Sequence, residues 1–170
     1  MGIMVRDLPA LEEFYTRVFR MLVSDRGVGH HFKREIVFLT ADERQHHQLV
    51  LAAGRGPDAP STIFQMSFKV QSLDELRTIR DKARAAGATD VRGLNHGNAW
   101  SVYFYDPEHN LVEVYLDTPF HVPQPHGDPL DLSQPDEKIL RDTEAMCRRD
   151  PGFMMMTDYV AATAAKIRGS

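Results

Sequence analysis

Val5-Arg6-Asp7-Leu8, with Leu11 close behind, is answered 65 residues later (Val5 to Val70) by Val70-Gln71-Ser72-Leu73 with Leu76. Both stretches read as the end of a strand running into a helix. Asp7 is a good N-cap, with Leu8 and Pro9 opening the first helix. Ser72-Leu73-Asp74-Glu75 is a capping box for the second. Leu11, Phe14, Tyr15 and Val18 recur at i, i+3, i+4 and i+7, one apolar stripe. Leu73, Leu76, Ile79 and Ala83 do the same for a helix that stops at Gly87. Strands are expected at 2–6, about 21–26, 31–39 and 46–53, and then at 63–70, 88–93, 98–105 and 110–116. Between the two sets, Gly54-Arg55-Gly56-Pro57-Asp58-Ala59-Pro60-Ser61 reads as a linker.

The order βαβββ thus occurs twice. One helix covers only one face of such a sheet, so the bare faces of two copies are expected to close on each other. The fold class is therefore α+β, with two tandem βαβββ modules forming a cup-shaped mixed β-sheet lined by alternate strand residues. The modules are placed at about 1–55 and 62–118 within a domain of residues 1–118.

Residues 119–170 form a C-terminal extension. Pro119, Pro123, Pro125, Pro129 and Pro135 exclude a long helix or a central strand, so an extended path is expected first. Helices at 136–149 and 157–168 follow, split by Asp150-Pro151-Gly152. Their packing stripes are Ile139, Leu140, Thr143 and Met146, then Tyr159, Val160, Thr163 and Ile167. The extension reads as structural or as part of a dimer interface.

Composition narrows the function. The 170 residues carry 20 Lys+Arg against 24 Asp+Glu, a net charge of −4 with both signs scattered, which gives no footprint for nucleic acid. The lone Cys147 excludes an internal disulfide, and no four-Cys or Cys/His zinc spacing occurs. No apolar run is long enough for a membrane span and no secretory leader is evident, so a cytoplasmic protein is expected. Any metal would have to be held by imidazole and carboxylate.

Glu113 interrupts an apolar strand, Asn110-Leu111-Val112-Glu113-Val114-Tyr115. An unpaired buried carboxylate is costly, so it either faces solvent from an edge strand or has a partner such as a metal. His46-His47 opens the corresponding strand of the first module, and adjacent strand residues point to opposite faces, so at most one enters the cup. A surface pair is the simpler reading. In Asn95-His96-Gly97-Asn98-Ala99-Trp100-Ser101-Val102-Tyr103-Phe104-Tyr105, a turn places His96 at one end of an aromatic strand and the Tyr105 hydroxyl nine residues along, near Glu113. Histidine and tyrosine beside a carboxylate suit proton transfer and anion stabilisation. Core aromatics with a loop histidine compete with that reading. His30, His31, His109, His121 and His126 read as surface.

The paired βαβββ order, Asp7-Leu8 with Phe14-Tyr15, and Asp106-Pro107-x-x-Asn110-x-x-Glu113 together resemble the vicinal oxygen chelate superfamily of glyoxalases, bleomycin-resistance proteins and type I extradiol dioxygenases. The likeness covers about residues 1–118. Arg44-x-His46-His47-x-Leu49 with Asn95-His96-Gly97-x-x-x-Ser101-x-Tyr103-x-Tyr105 is similar to the extradiol branch, and His121-Val122-Pro123-Gln124-Pro125-His126 resembles extensions of its single-domain relatives. The resemblance implies a catechol opened beside its two hydroxyls by O2 at a non-haem Fe(II). It puts the metal carboxylate on Glu113 and the acid/base histidine on His47. His96 would orient substrate and reactive oxygen, and Tyr105 would bind substrate. A metal-ligating histidine of the family falls on Gln65, a poorer ligand that glyoxalases of the group can use. The offset of 65 places the partner of Gln65 one residue before Met1, so either a histidine precedes Met1 in the native product or the two-histidine, one-carboxylate face has been abandoned. Weak metal binding and a homodimer are expected. The alternatives are a metal-dependent lyase or isomerase of the glyoxalase type, favoured by Gln65 and Glu113, and a metal-free binding protein of the resistance kind.

Overall fold

A computed structural model describes residues 1–169. The first module contains β1 (Gly2–Val5), α1 (Leu8–Phe19), β2 (Leu22–Val28), β3 (Glu35–Thr40) and β4 (Leu49–Ala53). Its sheet runs β1-β4-β3-β2. β1 lies parallel to β4 from Gly2↔Val50 to Val5↔Ala53, and the other pairs are antiparallel. The second module contains β5 (Met66–Lys69), α2 (Leu73–Ala85), β6 (Thr89–Asn95), β7 (Ala99–Tyr105) and β8 (Leu111–Asp117). Read from β5, the order β5-β8-β7-β6 repeats that of the first sheet. The tail adds β9 (Phe120–His121), β10 (Asp128–Pro129), α3 (Asp136–Cys147), β11 (Met154–Met155) and α4 (Met156–Gly169). β10 extends the second sheet beyond β6, and β11 pairs with β9. The tandem βαβββ reading therefore holds.

Local chemistry explains the element ends. Asp7 accepts from the Ala10 amide at 3.0 Å and starts α1, whose stripe of Leu8, Leu11, Phe14, Tyr15 and Val18 is buried. Ser72 accepts from the Glu75 amide at 3.1 Å, while the Glu75 carboxylate accepts from the Gln71 amide at 2.7 Å. Past the end of α2, Gly87 sits at φ +88°, which only glycine adopts without strain.

Three boundaries differ from the sequence reading. β3 starts at Glu35, after a turn in which Lys33 has φ 50°. β4 starts at Leu49, so His46 and His47 precede the strand. The cause is a side-chain-built turn: Thr40 Oγ1 accepts from the Asp42 amide at 3.1 Å, and Asp42 accepts from the Arg44 amide at 2.9 Å and from Gln45 Nε2 at 3.0 Å. Those bonds hold the Asp42 carboxyl below the usual carboxylate range, the Arg44 amide contributing most. β5 starts at Met66, leaving Phe64 84% exposed.

The described chain divides into two compact units. One is Met1–Met66, Ile79–Val91 and Phe104–Val112; the other comprises Ser67–Thr78, Arg92–Tyr103 and Glu113 onward. In the second unit the tail is fastened to the sheet through Thr143. Its hydroxyl accepts from Asn95 Nδ2 at 2.9 Å and from Trp100 Nε1 at 2.8 Å, and donates to the Ile139 carbonyl at 2.7 Å. One hydroxyl thus fills both acceptor sites and its single donor. Burial on α3 follows Ile139, Thr143 and Cys147, while Leu140 is exposed. α4 buries no residue, and Tyr159 instead stacks on His121 with ring centroids 3.8 Å apart. No helix among the described residues is long and apolar enough to cross a membrane.

Candidate functional site

Glu113 lies on β8, between β7 and β5. It is 9% exposed, so its charge needs partners, and both neighbouring strands supply hydroxyls. Ser101 and Tyr103 of β7 donate to Oε1 at 2.9 and 2.7 Å, and Ser67 of β5 donates to Oε2 at 2.7 Å. Hydrogen bonds to a charged acceptor are worth about 1.5–3 kcal/mol each, enough to hold a carboxylate out of water. His96 completes the cluster. Its Nε2 lies 3.1 Å from the Tyr103 hydroxyl and 3.9 Å from Glu113 Oε1, while its Nδ1 lies 2.5 Å from the His126 carbonyl. The Arg92 guanidinium stands 5.7 Å from the centre of the Tyr103 ring. The arrangement is a hydrogen-bonded line of imidazole, phenol and carboxylate, a geometry along which a proton can be held or passed.

The residues singled out by sequence are distributed unevenly. Glu113 and His96 come together. The hydroxyl on Glu113 is that of Tyr103, whereas the Tyr105 ring meets His109, with centroids 6.0 Å apart. His47 is exposed before β4. Its Nδ1 lies 2.9 Å from that of His46, and its ring lies 5.2 Å from Phe38. Gln65 sits one residue before β5 and is half-buried. Ser67 is not among the sequence candidates, and Ser101 and Tyr103 stand in the quoted motif without a role. The available signal was alternation: 101, 103 and 105 share one face of β7, and only the register against β8 selects among them.

The Asp106-Pro107-x-x-Asn110 element does structural work in the first unit. Asp106 is buried and accepts from the Glu108 and Asn110 amides and from Asn110 Nδ2 at 2.8–2.9 Å, which closes the turn. It also accepts from the Tyr15 hydroxyl at 2.9 Å. Burial, then the Asp106 charge, pushes the Tyr15 phenol well above its ordinary value.

The donor set does not match the Fe(II) site that the resemblance implies. Among the described residues no three His, Cys, Asp or Glu side chains are grouped to hold a metal ion. Glu113 has hydroxyl donors on both oxygens, and His96 turns Nδ1 to a carbonyl. These residues do not compose a two-histidine, one-carboxylate face.

Comparison with known proteins fits this architecture. The chain resembles the crystal structure of a glyoxylase/bleomycin resistance protein/dioxygenase domain from Frankia sp. EAN1pec, at 22% identity over 69% of this chain and 88% of that one, with a TM-score of 0.59. It also resembles the fosfomycin resistance protein FosX of Listeria monocytogenes, solved with Mn(II) and sulfate, at 19% identity over 69% and 88%, with a TM-score of 0.52. A glyoxalase/bleomycin resistance protein/dioxygenase family enzyme from Burkholderia phytofirmans PsJN matches at 18% identity over 69% and 96%, with a TM-score of 0.52. At these identities the likeness shows the fold alone. No curated protein matches the chain. The family described as Glyoxalase/Bleomycin resistance protein/Dioxygenase superfamily matches residues 1–114, and with two βαβββ modules in the same strand order the chain belongs to that superfamily, the vicinal oxygen chelate group.

Proposed function

We propose that this protein is a small-molecule binder of the resistance kind, which takes a hydroxyl-bearing ligand at the His96–Tyr103–Glu113 cluster without a metal. The observation that carries this reading is the state of Glu113, whose two oxygens are held by Ser67, Ser101 and Tyr103. A carboxylate so satisfied costs little to keep buried, with no need of a metal to balance its charge. A ligand hydroxyl, by contrast, can join the cluster by exchanging one hydrogen bond for another. A phenol or catechol suits the aromatic and cationic surroundings that Tyr103 and Arg92 provide.

A second reading, an extradiol-type dioxygenase opening a catechol with O2 at Fe(II), is favoured by one specific observation: a tyrosine donates to the carboxylate and a histidine stands 3.1 Å from that tyrosine's hydroxyl. It requires ligands beyond Glu113. The two readings separate in one experiment. Catechol binding is followed by calorimetry in the presence of a chelator, and oxygen uptake is followed after anaerobic loading with Fe(II). The binder reading expects catechol affinity to be indifferent to the chelator, to fall in Glu113→Gln, and to be accompanied by no oxygen uptake. Catechol-dependent oxygen uptake that needs Fe(II) and disappears in Glu113→Ala would overturn it and establish the dioxygenase.

A further inference from the structure

The imidazole of His96 is held at both ends. A carbonyl oxygen can only accept, so the 2.5 Å contact with His126 O places a hydrogen on Nδ1 in either charge state of the ring. The neutral ring then turns the lone pair of Nε2 toward Tyr103. The Tyr103 hydroxyl has one hydrogen and lies 2.7 Å from Glu113 Oε1 but 3.1 Å from His96 Nε2. That one hydrogen can serve either neighbour, and in the neutral ring Nε2 is an acceptor in both cases, taking it from Tyr103 or taking one from a ligand. The tail thus fixes which nitrogen of His96 can take a proton from a ligand.

We propose that residues 124–130 of the C-terminal extension are a positioning element of the candidate site, setting the tautomer and aim of His96, and that Gln124 is the side chain that holds them there. Gln124 Nε2 donates to the His96 carbonyl at 2.8 Å, and its Oε1 accepts from the His126 amide at 3.0 Å. One side chain therefore ties together the backbones of the two residues whose contact orients the ring. The chain beyond is laid along β6, with Asp128 opposite Asn95 and Pro129 opposite Leu94, and the Leu130 amide donates to the Gly93 carbonyl at 3.1 Å. Gly93 makes that approach possible. A Cβ there would stand 2.4 Å from the Leu130 carbonyl oxygen, backbone that cannot swing aside. Gly127 lies against the ring itself, where a Cβ would be 3.8 Å from His96 Nδ1 and Cε1. Before this stretch, Val122 is buried with Phe120 and Cys147, and after it Arg77 grips the Leu132 and Gln134 carbonyls at 2.8 and 3.0 Å. The segment is pinned on both sides of its contact with His96.

The tautomer stands on the geometry alone; its use by a ligand hydroxyl rests on the binder reading above. The test is long-range proton–nitrogen NMR on the full chain with labelled histidine, near pH ~9, with His96→Asn identifying the signal. The expected result is a His96 ring with hydrogen on Nδ1 and a bare Nε2, and a ring with hydrogen on Nε2 would overturn the proposal. Gln124 is exposed, so Gln124→Ala should fold with an unchanged melting curve while the His96 signals move toward exchange between the two tautomers. Signals identical to those of the parent would show that Gln124 holds nothing. Gln124→Glu, which keeps the acceptor for His126 and loses the donor to His96, should lie between the two. Gly93→Ala should move the signals in the same direction as Gln124→Ala. Failure of catechol to bind the parent chain would sink the binder reading and leave the tautomer result standing, so the two can fail separately.

Discussion

The Tyr103 hydroxyl donates to Glu113 Oε1 at 2.7 Å, across two neighbouring strands of the second sheet. Tyr103→Phe removes that hydrogen bond and leaves a buried carboxylate short of one donor, at a cost of about 1–3 kcal/mol. The expected outcome is a lower urea midpoint with an unchanged slope, together with about a tenfold loss of catechol affinity. Tyr105→Phe should stay within about 0.5 kcal/mol of the parent and keep its affinity. Equal effects of the two substitutions would show that the wrong hydroxyl has been assigned to the cluster.

The contrast between these tyrosines marks how far the sequence reaches. The strand–helix starts at Val5-Arg6-Asp7 and Val70-Gln71-Ser72 were legible because caps and apolar stripes are local. So was the repeat of the βαβββ order along the chain, because the same pattern must bury the same way twice. Glu113 was legible because a charge inside an apolar strand demands a partner. The choice between Tyr103 and Tyr105 was not, because both share a face of β7 and register depends on pairing across strands. His47 was drawn into a strand because nothing in its own neighbourhood shows that Asp42, several residues earlier, accepts enough hydrogen bonds to keep the chain turning until Leu49. The tail showed prolines and stripes, and its hold on His96 runs through backbone carbonyls that no residue type announces.

Thr143 carries a prediction about that tail. Thr143→Val keeps the shape and removes the only oxygen, leaving Asn95 Nδ2 and Trp100 Nε1 without this acceptor. At about 1–3 kcal/mol for each stranded donor, a loss of roughly 2–6 kcal/mol is expected, whereas Thr143→Ser, which keeps the hydroxyl, should cost about 1 kcal/mol. Chemical unfolding of the pair measures this. A valine variant as stable as the serine one would mean that the hydroxyl anchors nothing.

Tyr15 gives the stability curve an alkaline limb. Its phenol is raised in the folded chain, chiefly by burial and then by Asp106. The unfolded chain therefore loses this proton first as pH rises. Stability contributed by the protonated phenol is complete below the unfolded value near 10 and falls as pH climbs from there toward the folded value. Urea midpoints of Tyr15→Phe should decline less steeply than those of the parent above about pH 10. Parallel declines would show that the titrating groups lie elsewhere.

Glu108 and Arg55 form a buried pair in the first unit, with side chains 6% and 8% exposed and 3.5 Å between Oε2 and Nη1. The pairing alone is long and would not compensate for desolvating two charges. What makes Glu108 worth burying is its other oxygen, which accepts from the Arg6 amide at 2.6 Å and the Asp7 amide at 2.8 Å, at the entrance to α1. Arg55 in turn donates to Asn110 Oδ1 at 3.1 Å and through Nε to the Ala59 carbonyl at 3.0 Å, so it keeps two neutral partners when Glu108 is removed. Glu108→Ala should therefore cost about 3–5 kcal/mol, since it strands a buried guanidinium and two backbone donors together. Glu108→Gln retains an acceptor for the amides and loses only the charge. It should cost less than half as much, an ordering that urea unfolding of both variants can check. If the two variants are equally destabilised, the charge on Arg55 dominates and the helix-entry bonds contribute little.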